Sequence, residues 1–466
     1  MNRSVALLAL TLTLTGCKVG PNYVRPEAAA PAQFKELEGW KPSAPADAAD
    51  KGPWWQVYHD PELDRLEAMV DISNQTVKQY EAQYRNAVAL VAEARASLFP
   101  TVAVTPSITQ SGGGASRGGA RTSSGGTSLS ASGSVSWDLD IWGRVRRQIE
   151  SNEDAVTVSA ADLANARLSA QATLATDYFD LRASDALADL LTDTAANYRR
   201  ALDIARNQYN AGTSSNADVV TAEAQLQSTE ATLAGVGVQR QQYEHAIAML
   251  TGHAPSDLTI TKTSLAVDVP VAPAGVPSAL LERRPDIAAA ERQVAANNAL
   301  IGVAQAAFYP DLTLSASGGL AGTTLANLFN ISNSVWSLGA SATETLFSGG
   351  GRTAAVDAAR ATYDASVANY RQTVLTGFQQ VEDQLSNLRI LEQQAKAQAT
   401  AVDSAKRAVD ITLNTYRAGT VAYTSVITEQ TLLLSDQQSA LSIQQSRLLA
   451  SVALIEALGG GWQAPP

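Results

Sequence analysis

The chain repeats itself. Ala96-Ser97-Leu98-Phe99-Pro100 is answered by Ala306-Ala307-Phe308-Tyr309-Pro310, and Trp142-Gly143-Arg144 by Gly350-Gly351-Arg352. Asn207-Gln208-Tyr209-Asn210-Ala211-Gly212-Thr213 is answered by Asn414-Thr415-Tyr416-Arg417-Ala418-Gly419-Thr420, and Leu250-Thr251-Gly252 by Leu458-Gly459-Gly460. The landmarks keep one order at an offset of about 207 to 210 residues. Whatever one half forms, the chain must therefore form twice. The copies span residues 58–254 and 286–460, a Pro-rich linker at 255–285 joins them, and a short tail at 461–466 follows.

Within each copy the hydrophobic period changes at matching points. From Ser128 to Ile141, Leu129, Ala131, Gly133, Val135, Trp137, Leu139 and Ile141 alternate with Ser128, Ser130, Ser132, Ser134, Ser136, Asp138 and Asp140. That period of two belongs to a strand with one apolar face and one hydroxyl-rich face. Val102, Val104 and Ile108 alternate likewise with Thr101, Thr105 and Thr109, and a Gly/Ser-rich loop at 111–126 closes a hairpin over about 101–141. The second copy supplies Leu312, Leu314 and Ala316, then Trp336, Leu338, Ala340 and Ala342 around a loop at 318–334, a hairpin over about 311–346. Glu344 falls on the apolar phase and marks the end of that stretch. A soluble half-buried sheet shows such alternation, and so do transmembrane barrel strands of about 10 residues.

Beyond each hairpin the period lengthens to about 3.6. No proline occurs between Pro106 and Pro255 or between Pro310 and Pro465, and no glycine between Arg144 and Ala211. Without breakers, about 67 residues at about 1.5 Å each make a rod near 100 Å. In the second copy Val356, Ala359, Tyr363, Val367, Tyr370, Val374, Phe378, Val381, Leu385 and Leu388 step by three or four, the seam of a coiled coil. After Gly212 and Gly419 the helical pattern resumes, so each rod folds back as a helical hairpin.

The amino end reads as a signal peptide over residues 1–16: Arg3, an apolar run from Val5 to Leu14, then Leu14-Thr15-Gly16-Cys17. This tetrapeptide resembles a bacterial lipobox, which makes Cys17 the lipidated first residue of the mature chain. Lys18 stands where an inner-membrane retention Asp would, so the outer membrane is the expected destination. Residues 17–57, with Pro21, Pro26, Pro31, Pro42, Pro45 and Pro53, read as an extended tether along the outside of the body. No later stretch approaches the roughly 20 apolar residues of a spanning helix, so any membrane crossing falls to strands. Four strands cannot close a barrel, whose minimum is about eight, and several chains must share one. Spacing alone admits a dimer or a trimer.

Chemistry is excluded more readily than found. A net charge of -11 and a pI near 4.9 leave no basic surface for nucleic acid. Cys17 is the sole thiol, and His59, His245 and His253 do not make a metal site without it. Gly114-Ala115-Ser116-Arg117-Gly118 matches a hydrolase elbow but sits in the hairpin loop, away from any strand-to-helix turn. Ser348-Gly349-Gly350-Gly351-Arg352 lacks the Lys of a phosphate loop and reads as a strand-to-helix joint. Asp138 and Asp140 read as water-facing members of a polar strand face. The chain is expected to be no enzyme and to hold no metal and no cofactor beyond its lipid.

Several segments together resemble the TolC family of outer-membrane factors, in particular the OprM-like lipoproteins of RND-type multidrug efflux pumps. They are Cys17-Lys18-Val19-Gly20-Pro21-Asn22-Tyr23 with Arg25-Pro26, Trp54-Trp55 with Tyr58, Asp60-Pro61 and Leu63, and Trp137-Asp138-Leu139-Asp140-Ile141-Trp142-Gly143-Arg144. Leu281-Glu282-Arg283-Arg284-Pro285-Asp286-Ile287, Tyr416-Arg417-Ala418-Gly419 and Ala457-Leu458-Gly459-Gly460-Gly461-Trp462 complete the set. The resemblance implies an α+β membrane protein: a homotrimer with a twelve-stranded transmembrane β-barrel in the outer membrane and a long α-helical coiled-coil tunnel in the periplasm. It implies a passive conduit for drugs or other small molecules, working with a periplasmic adaptor protein and an inner-membrane RND-type pump. The adaptor-docking tips then map to Gly212, Thr213 and Ser214 and to Gly419, Thr420 and Val421. The gate maps to Tyr416 and Asp218, expected to form a hydrogen-bonded latch, and to Thr428 and Glu429. Thr428 replaces a family aspartate and Val421 a family arginine, which leaves a carboxylate ring at the aperture unsupported. Two alternatives remain, an outer-membrane duct of type I protein secretion and a structural periplasmic coiled-coil lipoprotein.

Overall fold

The computed structural model describes residues 18–27, 53–112, 126–265, 267–270 and 284–460. The signal peptide at 1–16, Cys17, the Gly114–Gly118 elbow, Leu281 to Arg283 and the tail at 461–466 lie outside the described residues. The first copy comprises α1 (Pro61–Ser73), α2 (Gln75–Ala96), β1 (Thr101–Ser111), β2 (Gly126–Leu139), α3 (Arg144–Asn210) and α4 (Asn216–Leu250). The second comprises α5 (Pro285–Ala306), β3 (Asp311–Gly322), β4 (Ser334–Thr343), α6 (Gly351–Arg417) and α7 (Tyr423–Ala457). The duplication is metrically faithful: α3 and α6 are 67 residues each, and α4 and α7 are 35 each.

The chain divides into two units. One gathers Met1–Glu27, Gln83–Ser159 and Ala289–Tyr370 and holds all four strands. They form one antiparallel sheet in the order β1-β2-β3-β4. The register aligns like with like: Val102 pairs Val135, Val135 pairs Ala316, and Ala316 pairs Leu338, while the next row runs Ala103, Ser134, Ser317, Ser337. A one-residue slip would mix the faces, so the pattern itself fixes the pairing. β3 runs on to Gly322, into the stretch expected as loop, and the connection to β4 holds a helical turn at Leu325–Leu328.

Asp140 departs from expectation. It does not face water: β2 ends at Leu139, and the Asp140 carboxylate accepts from the backbone N–H of Val145 at 2.9 Å and of Arg146 at 3.0 Å. An anion at the unsatisfied N–H groups of a helix start is stabilising, and the Arg146 side chain adds an ion pair at 3.0 Å.

The second unit gathers Ala28–Ala82, Ala160–Ala288 and Arg371–Pro466. Its main core packs Leu63, Leu66 and Val70 of α1 against Leu174, Tyr178, Phe179, Ile247 and Leu448. Trp54 and Trp55, expected at the end of an outlying tether, belong to this core within a 3-10 turn at Trp54–Tyr58. Large aromatic side chains gain about 1.5 to 3 kcal/mol on burial, which outweighs the proline-rich surroundings. Asp60 caps α1 by accepting from Glu62 and Leu63 N–H, and its other oxygen receives the Tyr178 hydroxyl at 2.6 Å. Part of the linker is also docked, with Leu258 and Ile260 buried. Buried Asp185 organises that docking: it accepts from Arg240 at 2.7 Å and pairs with Arg182, and the two arginines donate to the carbonyls of Ile260 and Thr261.

All four long helices after the hairpins end alike. Thr213 N–H donates to Gln208 O, Thr420 to Thr415, His253 to Ala248 and Gly460 to Ile455, each beside a glycine with positive φ. This is the Schellman closure, in which left-handed backbone satisfies the last carbonyls.

Candidate functional site

Two surfaces concentrate what the sequence singled out. The first is the sheet. Its apolar face is not covered by the chain's own residues: Val102, Val104, Trp336 and Leu338 are 72 to 77% exposed. The opposite face is knitted by hydroxyls, with Ser107 and Ser130 Oγ 2.8 Å apart, Ser317 and Ser337 likewise, and Thr313 donating to Asp138 at 2.6 Å. β1 and β4 each have one neighbour, so the sheet has two unpaired edges. Among the described residues no helix is long and apolar enough to cross a membrane. Aromatic side chains gather where strands meet helices: Trp137 donates to Leu98 O at 2.9 Å, Trp142 to Pro310 O at 2.9 Å, and Trp142 stacks on Tyr309 at 4.7 Å. Such a belt suits a membrane interface, where ring bodies sit in lipid and polar tips in water.

The second surface is the pair of helix tips. Gly212 and Gly419 take φ of 74° and 73°, and a Cβ at either would meet nothing within 4 Å. Glycine is needed there for its backbone, not for space. Thr213, Gly212, Gly419 and Thr420 are exposed, Ser214 and Val421 half-buried. Ser215 caps α4 by accepting from Asp218 N–H, whereas Ala422 precedes α7 with no side-chain cap.

Behind the tips lies a cluster drawn from both copies: Ala195, Tyr198, Ala201, Leu202, Ala205, Ala222, Leu226, Tyr416, Tyr423 and Val426. Tyr416 and Tyr423 rings lie 5.2 Å apart. Tyr416 and Asp218 come together here, but the expected hydrogen-bonded latch is not formed in the single chain: the buried Tyr416 hydroxyl has no hydrogen-bond partner, nor has Ser214 Oγ. Burial, and next the Asp218 charge, raise the Tyr416 phenol, while Ser214 acts the other way. Burial, with Tyr416, Tyr198 and Asp218 nearby, pushes Tyr423 up to about 12. Thr428 is exposed and donates to Thr424 O one turn back, and Glu429 beside it is half-buried. Tyr423, Tyr198 and Gln430 were not singled out by sequence. The only signal for Tyr423 is its place seven residues after Tyr416, two helical turns on one face once the intervening turn is allowed for.

No group of three or more His, Cys, Asp or Glu among the described residues could hold a metal ion. An amphipathic sheet with open edges, carried on paired helical rods, defines a membrane conduit shared between chains. The comparisons agree. The model of the outer membrane efflux protein family matches residues 69–253 and 276–460, one match per copy. The probable efflux pump outer membrane protein TtgC of Pseudomonas putida is 31% identical over 99% of this chain and 96% of its own length. The cation efflux system protein CusC of Escherichia coli is 28% identical over 97% of this chain and 98% of its own length. The solved structure of the outer-membrane channel OprN aligns with a TM-score of 0.86 at 27% identity, covering 96% of this chain and 100% of that one. The chain therefore belongs to the outer membrane efflux protein family. It is an outer-membrane efflux channel component with a β-barrel part and a helical tunnel part.

Proposed function

We propose that three copies of this chain close one twelve-stranded barrel and one helical tunnel, forming a passive exit duct for small molecules. The observation that carries this is the sheet's two unpaired edges beside an exposed apolar face. In a bilayer each unpaired N–H and C=O costs several kcal/mol, so β1 of one copy must pair β4 of the next until the ring closes. The relatives named for efflux of toluene and of cations support a tripartite pump role over protein secretion. In this reading a periplasmic adaptor docks at Gly212, Thr213, Ser214, Gly419, Thr420 and Val421, and an inner-membrane RND-type pump supplies energy and substrate choice. Tyr416 and Asp218, with Thr428 and Glu429, line the periplasmic gate, which the adaptor opens by binding the dilated state more tightly. The chain itself does no chemistry and uses no cofactor, and Cys17 carries an acyl anchor.

Purified protein should run in mild detergent at the mass of three chains and give small, flickering single-channel conductance in planar bilayers. Tyr416→Phe should leave that conductance nearly unchanged, because the hydroxyl makes no bond to lose, whereas Tyr416→Ala should raise it by opening a cavity in the tip cluster. A monomer that never inserts would sink the barrel reading and favour a soluble coiled-coil lipoprotein.

A further inference from the structure

Residues 18 to 27 play no part in the duct, yet they are bonded along most of their length. We propose that Arg147 and Gly302 form a seat for this amino-terminal strap, and that the seat fixes the point from which the lipid of Cys17 leaves the protein. The proposal rests on the reading of Cys17 as the acylated residue.

Arg147, on the first turn of α3, is 1% exposed, and its guanidinium is spent almost wholly on the strap. Nε donates to Val19 O at 3.0 Å, and Nη2 donates to Gly20 O at 3.0 Å and to Asn22 Oδ1 at 3.1 Å. Nη1 pairs with Glu150 at 2.9 Å, and Glu150 also pairs with Lys18. The planar fork is what allows one side chain to hold two successive carbonyls and an amide oxygen.

Gly302 supplies the other wall, on α5. A Cβ there would lie 2.7 Å from Val19 O and 3.0 Å from the Arg147 side chain, so only glycine admits the strap. Gly20 faces it with φ of 100°, and a Cβ on Gly20 would collide with Gly302 backbone. Further along, Asn298 donates to Pro21 O at 3.0 Å, Tyr23 donates to Glu291, and Arg25 donates to the Tyr370 hydroxyl at 3.3 Å. The strap thus joins α3 of the first copy to α5 and α6 of the second.

The seat exists once in a duplicated body. At the repeat offset Gly302 corresponds to Ala92 and Arg147 to Ala355, which offer neither notch nor fork. Its level is also defined, since Val19 N–H donates to Trp142 O at 3.1 Å and a Gly143 Cβ would touch Lys18. Trp142 belongs to the aromatic belt at the foot of the sheet. Cys17 is one peptide bond from Lys18, about 3.8 Å between Cα atoms. An acyl chain on Cys17 therefore starts at the membrane interface, not at the end of a loose leash.

The test uses full-length protein labelled in cells with an alkyne palmitate analogue and then exposed to trypsin in outer-membrane vesicles. Trypsin can cut Lys18–Val19, which severs the lipid from the body, while Pro26 protects Arg25. Arg147→Ala should lose label at least about tenfold faster than wild type, because local opening then exposes the bond. Arg147→Lys should not rescue it. Equal rates in wild type and Arg147→Ala would overturn the seat. Should Arg147→Ala fail to accumulate, Asn22→Ala combined with Tyr23→Phe, changed on the strap alone, must show the same acceleration or the seat is overturned. A wild type that takes up no label at Cys17 overturns the lipid clause, and the mass of the trypsin-shortened chain then scores the seat by itself.

Discussion

Both carboxylate oxygens of Glu67 are buried without a hydrogen-bond partner, one turn from Leu63 and Val70 on the core face of α1. Burial, and then the charges of Asp71 and Asp64, hold its pKa well above the ordinary carboxylate range. A carboxyl raised on folding contributes stability below its unfolded pKa and loses it as pH climbs through the folded value. Melting of the wild type should therefore fall toward alkaline pH, and Glu67→Gln should flatten that slope in thermal scans from about pH 5 to 9. A Glu67→Gln curve parallel to wild type would contradict this. At the tip, Gly419→Ala places a Cβ at φ of 73°, costing about 1 kcal/mol. Amide exchange at Thr420 should then quicken about fivefold, with distant helices unchanged. Residue identities were unevenly legible. Tyr416 and Asp218 could be found from their offsets to Gly419 and Gly212, whereas the missing bond between them could not, because it depends on side-chain placement in a packed cluster. Arg147 gave no signal at all, since its partners are backbone carbonyls more than a hundred residues away in sequence.

At the scale of elements, the absence of proline and glycine gave both rods almost to the residue, and the period of two gave all four strands. Both signals are local, so they survive without knowledge of tertiary contacts. What failed was composition read as structure. Prolines around Trp54 suggested a tether, but two tryptophans find partners in a core that no local pattern reveals. Asp140 alternated with the apolar phase, yet the helix that begins after Gly143 claims it as a cap. The docking of the linker rests on Asp185, which faces Arg182 and Arg240 with no exposure of its own. Asp185→Asn would leave two guanidinium groups without their shared anion, a loss of about 3 to 5 kcal/mol for a broken buried pair. Limited proteolysis should then cut near residues 258–265 well before the helices are attacked.

For the whole molecule, duplication was the most legible feature and closure the least. Matched landmarks place every element of the second copy before its own pattern is read. A shared barrel follows from four strands that cannot close, but the number of chains is a property of the ring, and strand arithmetic leaves two solutions. The equal lengths of the copies carry a last consequence. Because the tip cluster draws Tyr198 and Ala222 from one copy and Tyr416 and Tyr423 from the other, both hairpins must end level. A heptad gained in one copy's rods would carry its tip about 10 Å past its twin. Point changes can accumulate in each copy separately, and the two have drifted far apart in residues. Insertions and deletions are inherited only as matched pairs, so length is the one trait the two halves must still evolve together.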